Sequence, residues 1–137
     1  MPLDNINISY KGEVKIYAIR GGSSELIYDD SNLILENAKK ILVHAVGGDN
    51  YVINAIEVYK TSVKLAEDLS LQVEYPIGDK HVKFFAFFDE ASFNDTIDEI
   101  RLVSSVGGNF AEVTGLSHTK DDLTQLQIEW KITINNL

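Results

Sequence analysis

A chain of 137 residues suits one domain with a sizeable core, and 45% hydrophobic against 24% charged composition fits a folded protein rather than a disordered one. The absence of cysteine excludes disulfides, thiolate nucleophiles and cysteine zinc sites, while leaving reducing and oxidising compartments both open. With 21 acidic against 12 basic residues the net charge is -9, which repels nucleic acid unless a local basic stripe exists.

Residues 13–20 read as a strand with Val14, Ile16 and Ala18 on one face. Gly21-Gly22-Ser23-Ser24 is turn material, and Glu25-Leu26-Ile27-Tyr28 returns as a hairpin arm that Asp29-Asp30-Ser31 is expected to break. Asn32-Leu33-Ile34-Leu35 fits either an extended run or the start of a helix. Helical spacing is clear over 37–46, with Asn37 as the expected N-cap, an apolar stripe of Ala38, Ile41, Leu42 and Ala45, and Gly47-Gly48 as the stop. So short a helix needs a sheet to pack against. A strand follows over 51–60, its inward set either Ile53, Ala55 and Val58 across a bulge, or Ile56 and Val58. Residues 61–75 carry the weakest pattern, with a short strand at 71–75 ahead of a turn at Pro76 and Gly78.

Residues 81–88 form the next strand, with Val82, Phe84, Ala86 and Phe88 on one face and Lys83, Phe85 and Phe87 on the other. Residues 95–104 continue as a strand, Ile97, Glu99, Arg101 and Val103 alternating against Asp98, Ile100 and Leu102. Gly107-Gly108-Asn109 is a tight turn, and Phe110-Ala111-Glu112-Val113 leads off the returning arm. A polar connection over 116–122 precedes the last strand, where Leu126, Ile128, Trp130, Ile132 and Ile134 recur at every second position. The chain is expected to end in this half-buried strand, with the Trp130 indole on its core side.

These elements predict a mainly β fold, an antiparallel β-sandwich or flattened barrel with one short α-helix, spanning residues 1–137 as a single domain. Ile41, Leu42, Phe84, Phe88, Ile128, Trp130 and Ile132 are its expected core. No membrane span is expected, because no window approaches 18 uninterrupted apolar residues. The opening Met-Pro-Leu-Asp-Asn has neither the basic flank nor the apolar run of a secretory signal.

Candidate chemistry is sparse. The glycine pairs at 21–22, 47–48 and 107–108 lack the phosphate-loop context of a following helix or Gly-Lys-Ser/Thr, and read as turns. His44, His81 and His118 stand far apart with no i, i+4 ligand pair, so no metal site or cofactor is expected. His118 lies near Asp121-Asp122, but its neighbours Ser117 and Thr119 are ordinary loop hydroxyls rather than a marked nucleophile. The acidic groups at Asp29-Asp30, Asp89-Glu90, Asp98-Glu99 and Asp121-Asp122 do not match a calcium loop and read as solvated turns. Lys39-Lys40 and the group Lys80, His81 and Lys83 are too small to outweigh the net charge, so no direct nucleic-acid binding is expected. The aromatics left for a surface are Tyr10, Tyr51, Tyr59, Tyr75, Phe85 and Phe87, residue types enriched at subunit interfaces.

Several stretches together carry a resemblance. They are Gly12-Glu13-Val14-Lys15-Ile16-Tyr17, the run from Asn32 through Asn37-Ala38 to Leu42, Thr96-Ile97-Asp98-Glu99-Ile100-Arg101-Leu102-Val103, Gly107-Gly108-Asn109-Phe110-Ala111-Glu112-Val113, Lys120, and Gln127-Ile128-Glu129-Trp130-Lys131-Ile132-Thr133-Ile134. The chain resembles small β-rich virion proteins of tailed bacteriophages, components of tails, tail fibres or baseplates. It departs from them at Asn37, where a glycine is common before the helix alanine, and at Tyr59-Lys60-Thr61-Ser62, where a Gly-Thr-Gly turn is frequent.

The resemblance implies a non-enzymatic assembly protein of the virion, homo-oligomeric and in contact with other virion proteins, with no catalytic residue to carry over. Its expected contact surface is the outward side of the strands at 81–88 and 95–104, with Phe85, Phe87, Arg101 and Tyr59. Phe87→Asp is expected to weaken self-assembly of a chain that still folds. The alternative is a carbohydrate- or receptor-binding β-sandwich using Tyr51 or Tyr59 near Asp49. A glycan-cleaving enzyme with paired carboxylates stands behind both.

Overall fold

The computed structural model of the protein describes residues 8–78 and 80–136, so the opening Met-Pro-Leu-Asp-Asn and the terminal Leu137 lie outside the described residues. Eleven strands and one helix succeed one another there: β1 (Ile8–Arg20), β2 (Ser23–Ile34), α1 (Asn37–Val46), β3 (Ala55–Lys60), β4 (Val63–Asp68), β5 (Gln72–Glu74), β6 (His81–Phe88), β7 (Asp95–Ile97), β8 (Glu99–Ser104), β9 (Gly108–Val113), β10 (His118–Lys120) and β11 (Thr124–Asn136). Nine strands form one continuous antiparallel sheet in the order β4-β3-β8-β9-β2-β1-β11-β6-β5, and β10 pairs with β7 as a separate ribbon.

The long sheet folds over itself at β2. Its residues up to Asn32 pair with β1, whereas Leu33 and Ile34 pair with Glu112 and Ala111 of β9 respectively. One half therefore contributes Val14, Ile16, Phe84, Ile128 and Trp130 to the core, and the other Ile56, Val58, Ile100, Leu102 and Phe110, all in one cluster. Across the fold's other side, the Phe87 N–H donates to Asp68 Oδ2 at 2.8 Å and draws β6 towards the end of β4. The architecture is the mainly β, antiparallel sandwich or flattened barrel that the alternating strands predict.

Register explains the hold of β11 on this core. Trp130 pairs with Val14 on one side and Phe84 on the other, and Ile128 pairs with Ile16 and Ala86. The buried indole N–H donates to Asn32 Oδ1 at 3.2 Å. Gly12, opposite Asn32, makes room for that bond, since a Cβ there would stand 2.0 Å from the same oxygen.

Several local expectations are corrected. Asp29 and Asp30 do not break β2: both side chains stay exposed while their backbones pair with Lys15 and Val14, and a bulge near Ile27 absorbs the irregularity. The run 95–104 is two strands, because Asp98 turns the corner between them. Its N–H donates to Tyr59 O, its carbonyl accepts from Leu116 N–H, and its Oδ2 accepts from Thr61 N–H at 2.8 Å. The polar connection 116–122 contains β10, and the strand expected over 51–60 begins only at Ala55. Asn37 is not the helix cap. Glu36 takes that position, and the Asn37 amide instead donates to Gly107 O at 2.8 Å and Asn109 O at 3.0 Å, tying the helix to the β8–β9 turn. Ala38 and Ile41 are buried and Leu42 half-buried, while Ala45 is exposed.

The β3–β4 turn uses two residues with no conformational licence. Thr61 and Ser62 hold φ of 49° and 64°, the left-handed region that a two-residue hairpin demands and that glycine and asparagine tolerate best. Replacing Thr61-Ser62 by Asn-Gly relieves this strain and should raise the unfolding free energy by about 1 kcal/mol. A thermal unfolding midpoint that fails to rise contradicts the argument.

Candidate assembly surface at the β5–β6 edge

Among the described residues β5 is the last strand of the long sheet, paired on one side with β6 through Gln72–Phe85, Val73–Phe84 and Glu74–Lys83. Alternation puts Val73 with Phe84 towards the interior and Gln72 and Glu74 with Phe85 and Lys83 on the outside. Three hollows flank this edge. The largest, about 420 Å³, is an apolar groove between the helix and the sheet, walled by Ile41, Leu42, Tyr51, Val73, Tyr75 and Phe84 among others. A neighbouring one of about 340 Å³ shares Tyr75 and Val82 and adds Lys80, His81, Ile132 and Ile134. On the outer side, about 250 Å³ is enclosed by Asp68, Ser70, Gln72, Phe85, Phe87 and Gln127.

Apolar groups at this edge remain in contact with water. Tyr75 is 77% exposed, Phe87 51% and Val73 44%, and Ile77 is fully exposed. Their concentration around one free strand matters more than any single exposed residue.

Phe85 and Phe87 thus come together on the outer face of β6, with Phe85 half-buried. Tyr59 and Arg101 belong to the other half of the sheet. The Tyr59 side chain is only 8% exposed, its hydroxyl donates to Glu57 Oε1 at 2.6 Å, and the Arg101 guanidinium lies 4.0 Å over its ring. Burial, then the hydrogen bond to Glu57, raises the Tyr59 phenol above its ordinary value. Arg101 Nε in turn donates to Glu99, and Lys64 bridges Glu57 and Glu67. Tyr51 stacks on His44 with ring centroids 4.4 Å apart, and His44 Nδ1 meets Asp49 Oδ2 at 2.6 Å. The other two imidazoles sit apart, His81 against Thr133 Oγ1 and His118 edge-on to Tyr28. Among the expected core residues, Ile41, Phe84, Phe88, Ile128, Trp130 and Ile132 are buried and Leu42 half-buried.

Lys120 is the polar residue whose placement the sequence conceals. It is 1% exposed, and its ammonium is held by the carbonyl oxygens of Phe93 at 2.7 Å, Glu90 at 2.9 Å and Asp121 at 3.2 Å, with Asn94 Oδ1 at 3.4 Å. Burial pushes the amine below its ordinary value, while the carboxylates of Asp89, Glu90, Asp121 and Asp122 act in the opposite direction. The cage fixes the loop between β6 and β7 onto β10.

Beside it, Asp121 accepts from the Thr124 hydroxyl at 2.6 Å and from Leu123 N–H at 3.0 Å. These bonds, and Arg20 beyond them, hold its carboxyl below the ordinary value of 3.8. A carboxyl depressed on folding stabilises the native state above its unfolded value, and that contribution is lost as pH falls through the folded one. Urea midpoints measured in acid should therefore decline below pH 3.8, less steeply in Asp121→Asn. Identical profiles for the two proteins contradict this assignment.

No helix among the described residues is long and apolar enough to cross a membrane. No family model, curated protein or solved structure matches the chain.

Proposed function

We propose that the chain is a non-enzymatic assembly protein of a tailed-bacteriophage virion, a homo-oligomeric tail, fibre-attachment or other particle component that works through protein–protein contacts. The observation that carries the interaction role is the open β5–β6 edge, where exposed Val73, Tyr75, Ile77 and Phe87 stand among three hollows. Clustered apolar surface rimmed by polar groups marks association sites. The virion setting rests on the resemblance carried by the glycine–strand opening at 12–17, the helix entry at 32–42, the 96–103 and 107–113 arms, and the Trp130 strand.

Phe87 provides the test. Its neighbour Asp68 makes lysine a cleaner replacement than aspartate, because a second carboxylate there adds repulsion inside the monomer. Phe87→Lys should keep the circular dichroism of the parent, and its urea midpoint at dilutions where both are monomeric, while its assembled mass by light scattering falls. An unchanged mass, alone and with neighbouring virion proteins, counts against the reading.

A further inference from the structure

Resting on the assembly reading above, we propose that two copies of the chain join through the free edge of β5, antiparallel about Val73, each partner closing the other's apolar groove. The two ends of the long sheet differ in a way that points there. At the β4 end, Lys64, Glu67 and Asp68 put charges on the strand, a bulge at Leu65 disturbs it, and Asp68 is drawn onto β6. Charges and bulges are among the devices that prevent one sheet edge from pairing with another. β5 has no bulge, its one charge, Glu74, pairs across the strand with Lys83, and Pro76 lies beyond the paired residues. It carries the exposed Val73 and runs directly into the exposed Tyr75.

A second copy fits this edge in register. With a twofold axis through Val73, each Gln72 faces the partner's Glu74, Val73 faces the partner's Val73, and Leu71 faces the partner's Tyr75. Every pair has matching chemistry, and no like charges stand opposite. Moving the axis to Glu74 sets two carboxylates against each other and places Gln72 against a proline without an N–H. Moving it to Gln72 takes Glu74 out of the strand pairing and sets it against Ser70, in a bend.

Electrostatics permit the approach despite -9 on each chain. Glu74 is the strand's one charge and lies opposite Lys83 of β6, and charges elsewhere are screened beyond about 8 Å at physiological salt. Pairing lays the partner's Tyr75 over Leu71, at the mouth of the groove lined by Val73, Val82 and Phe84. A bare three-residue strand gives few hydrogen bonds, so this apolar covering supplies the main driving force.

The absence of cysteine makes the register directly readable. Directly opposed residues lie roughly 4.5–5.5 Å apart, within the Cα separation a disulfide spans. Under mild oxidation, full-length Val73→Cys should form a linked dimer roughly tenfold faster than Leu123→Cys, an exposed position away from this edge, because pairing raises the local thiol concentration. Gln72→Cys mixed with Glu74→Cys should give the heterodimer, and neither variant alone should link at that rate. Equal rates at positions 73 and 123 overturn the edge pairing, and failure of the mixed pair overturns the register. If the parent chain still assembles in either case, the assembly reading survives and this inference alone fails. If the chain stays single both alone and with its virion neighbours, the assembly reading fails with it.

Discussion

Trp130→Ala should lower the unfolding free energy by about 3–5 kcal/mol, as expected for truncating a large aromatic in a close-packed core. The side chain is fully buried and lies between Val14 and Phe84 in consecutive strands of the sheet. Neither neighbour can follow the shrinking side chain, because each is fixed by its own strand register. The vacated volume then persists as a cavity, and the indole's hydrogen bond to Asn32 is lost too. Trp130→Phe separates the contributions, retaining most of the volume while deleting the N–H, and should cost about 1–3 kcal/mol. Urea denaturation checks both values. Since small domains are stable by about 5–15 kcal/mol, the alanine variant should show a large midpoint shift with a nearly unchanged slope. A midpoint shift near zero would mean that the indole does not fill the core.

Lys120→Met should cost about 3 kcal/mol, although it exchanges a charged residue for an apolar one. The methionine stem follows the path of the lysine stem, but the three carbonyls and the Asn94 amide oxygen lose their common donor. An ammonium supplies three N–H donors in different directions, and no apolar side chain replaces them. The damage should be local. Hydrogen exchange is expected to rise in residues 89–94 and in the β7–β10 ribbon, while β1 and β11 retain their protection. Uniform loss of protection, or none, contradicts a cage that pins this loop.

The contrast between Trp130 and Lys120 explains what the sequence makes legible. Strands at 81–88 and 124–134 alternate strictly because one face meets the core and the other meets water, so their periods survive any error at their ends. The helix at 37–46 is equally plain, yet Asn37 misleads: its amide reaches a turn some 70 residues away, which local capping rules do not contain. Asp98 ends one strand and begins another through bonds to Tyr59, Thr61 and Leu116, all distant in sequence. Lys120 is hidden for the same reason, its burial arising from a loop that folds over it.

The candidate surface divides along similar lines. Phe85 and Phe87 stand out because two aromatics on the face opposite Phe84 and Phe88 break the polar half of a strand's alternation. A period of two cannot tell what covers an outward residue. Tyr59 accordingly lies beneath Arg101, within its own half of the sheet. Val73 gives little warning, since β5 has three residues and supports no period at all, and Ile77 lies beyond it in the following turn. What makes the edge a candidate is its position at the end of the sheet order, a property of topology rather than of local pattern.

Sedimentation of the full chain across a range of concentrations, alone and then with the virion proteins proposed as its neighbours, weighs the proposed assembly role most directly. A concentration-dependent rise from 15.3 kDa to a multiple of that mass, reduced by Phe87→Lys, is the expected result. A mass fixed at 15.3 kDa in every mixture would contradict it.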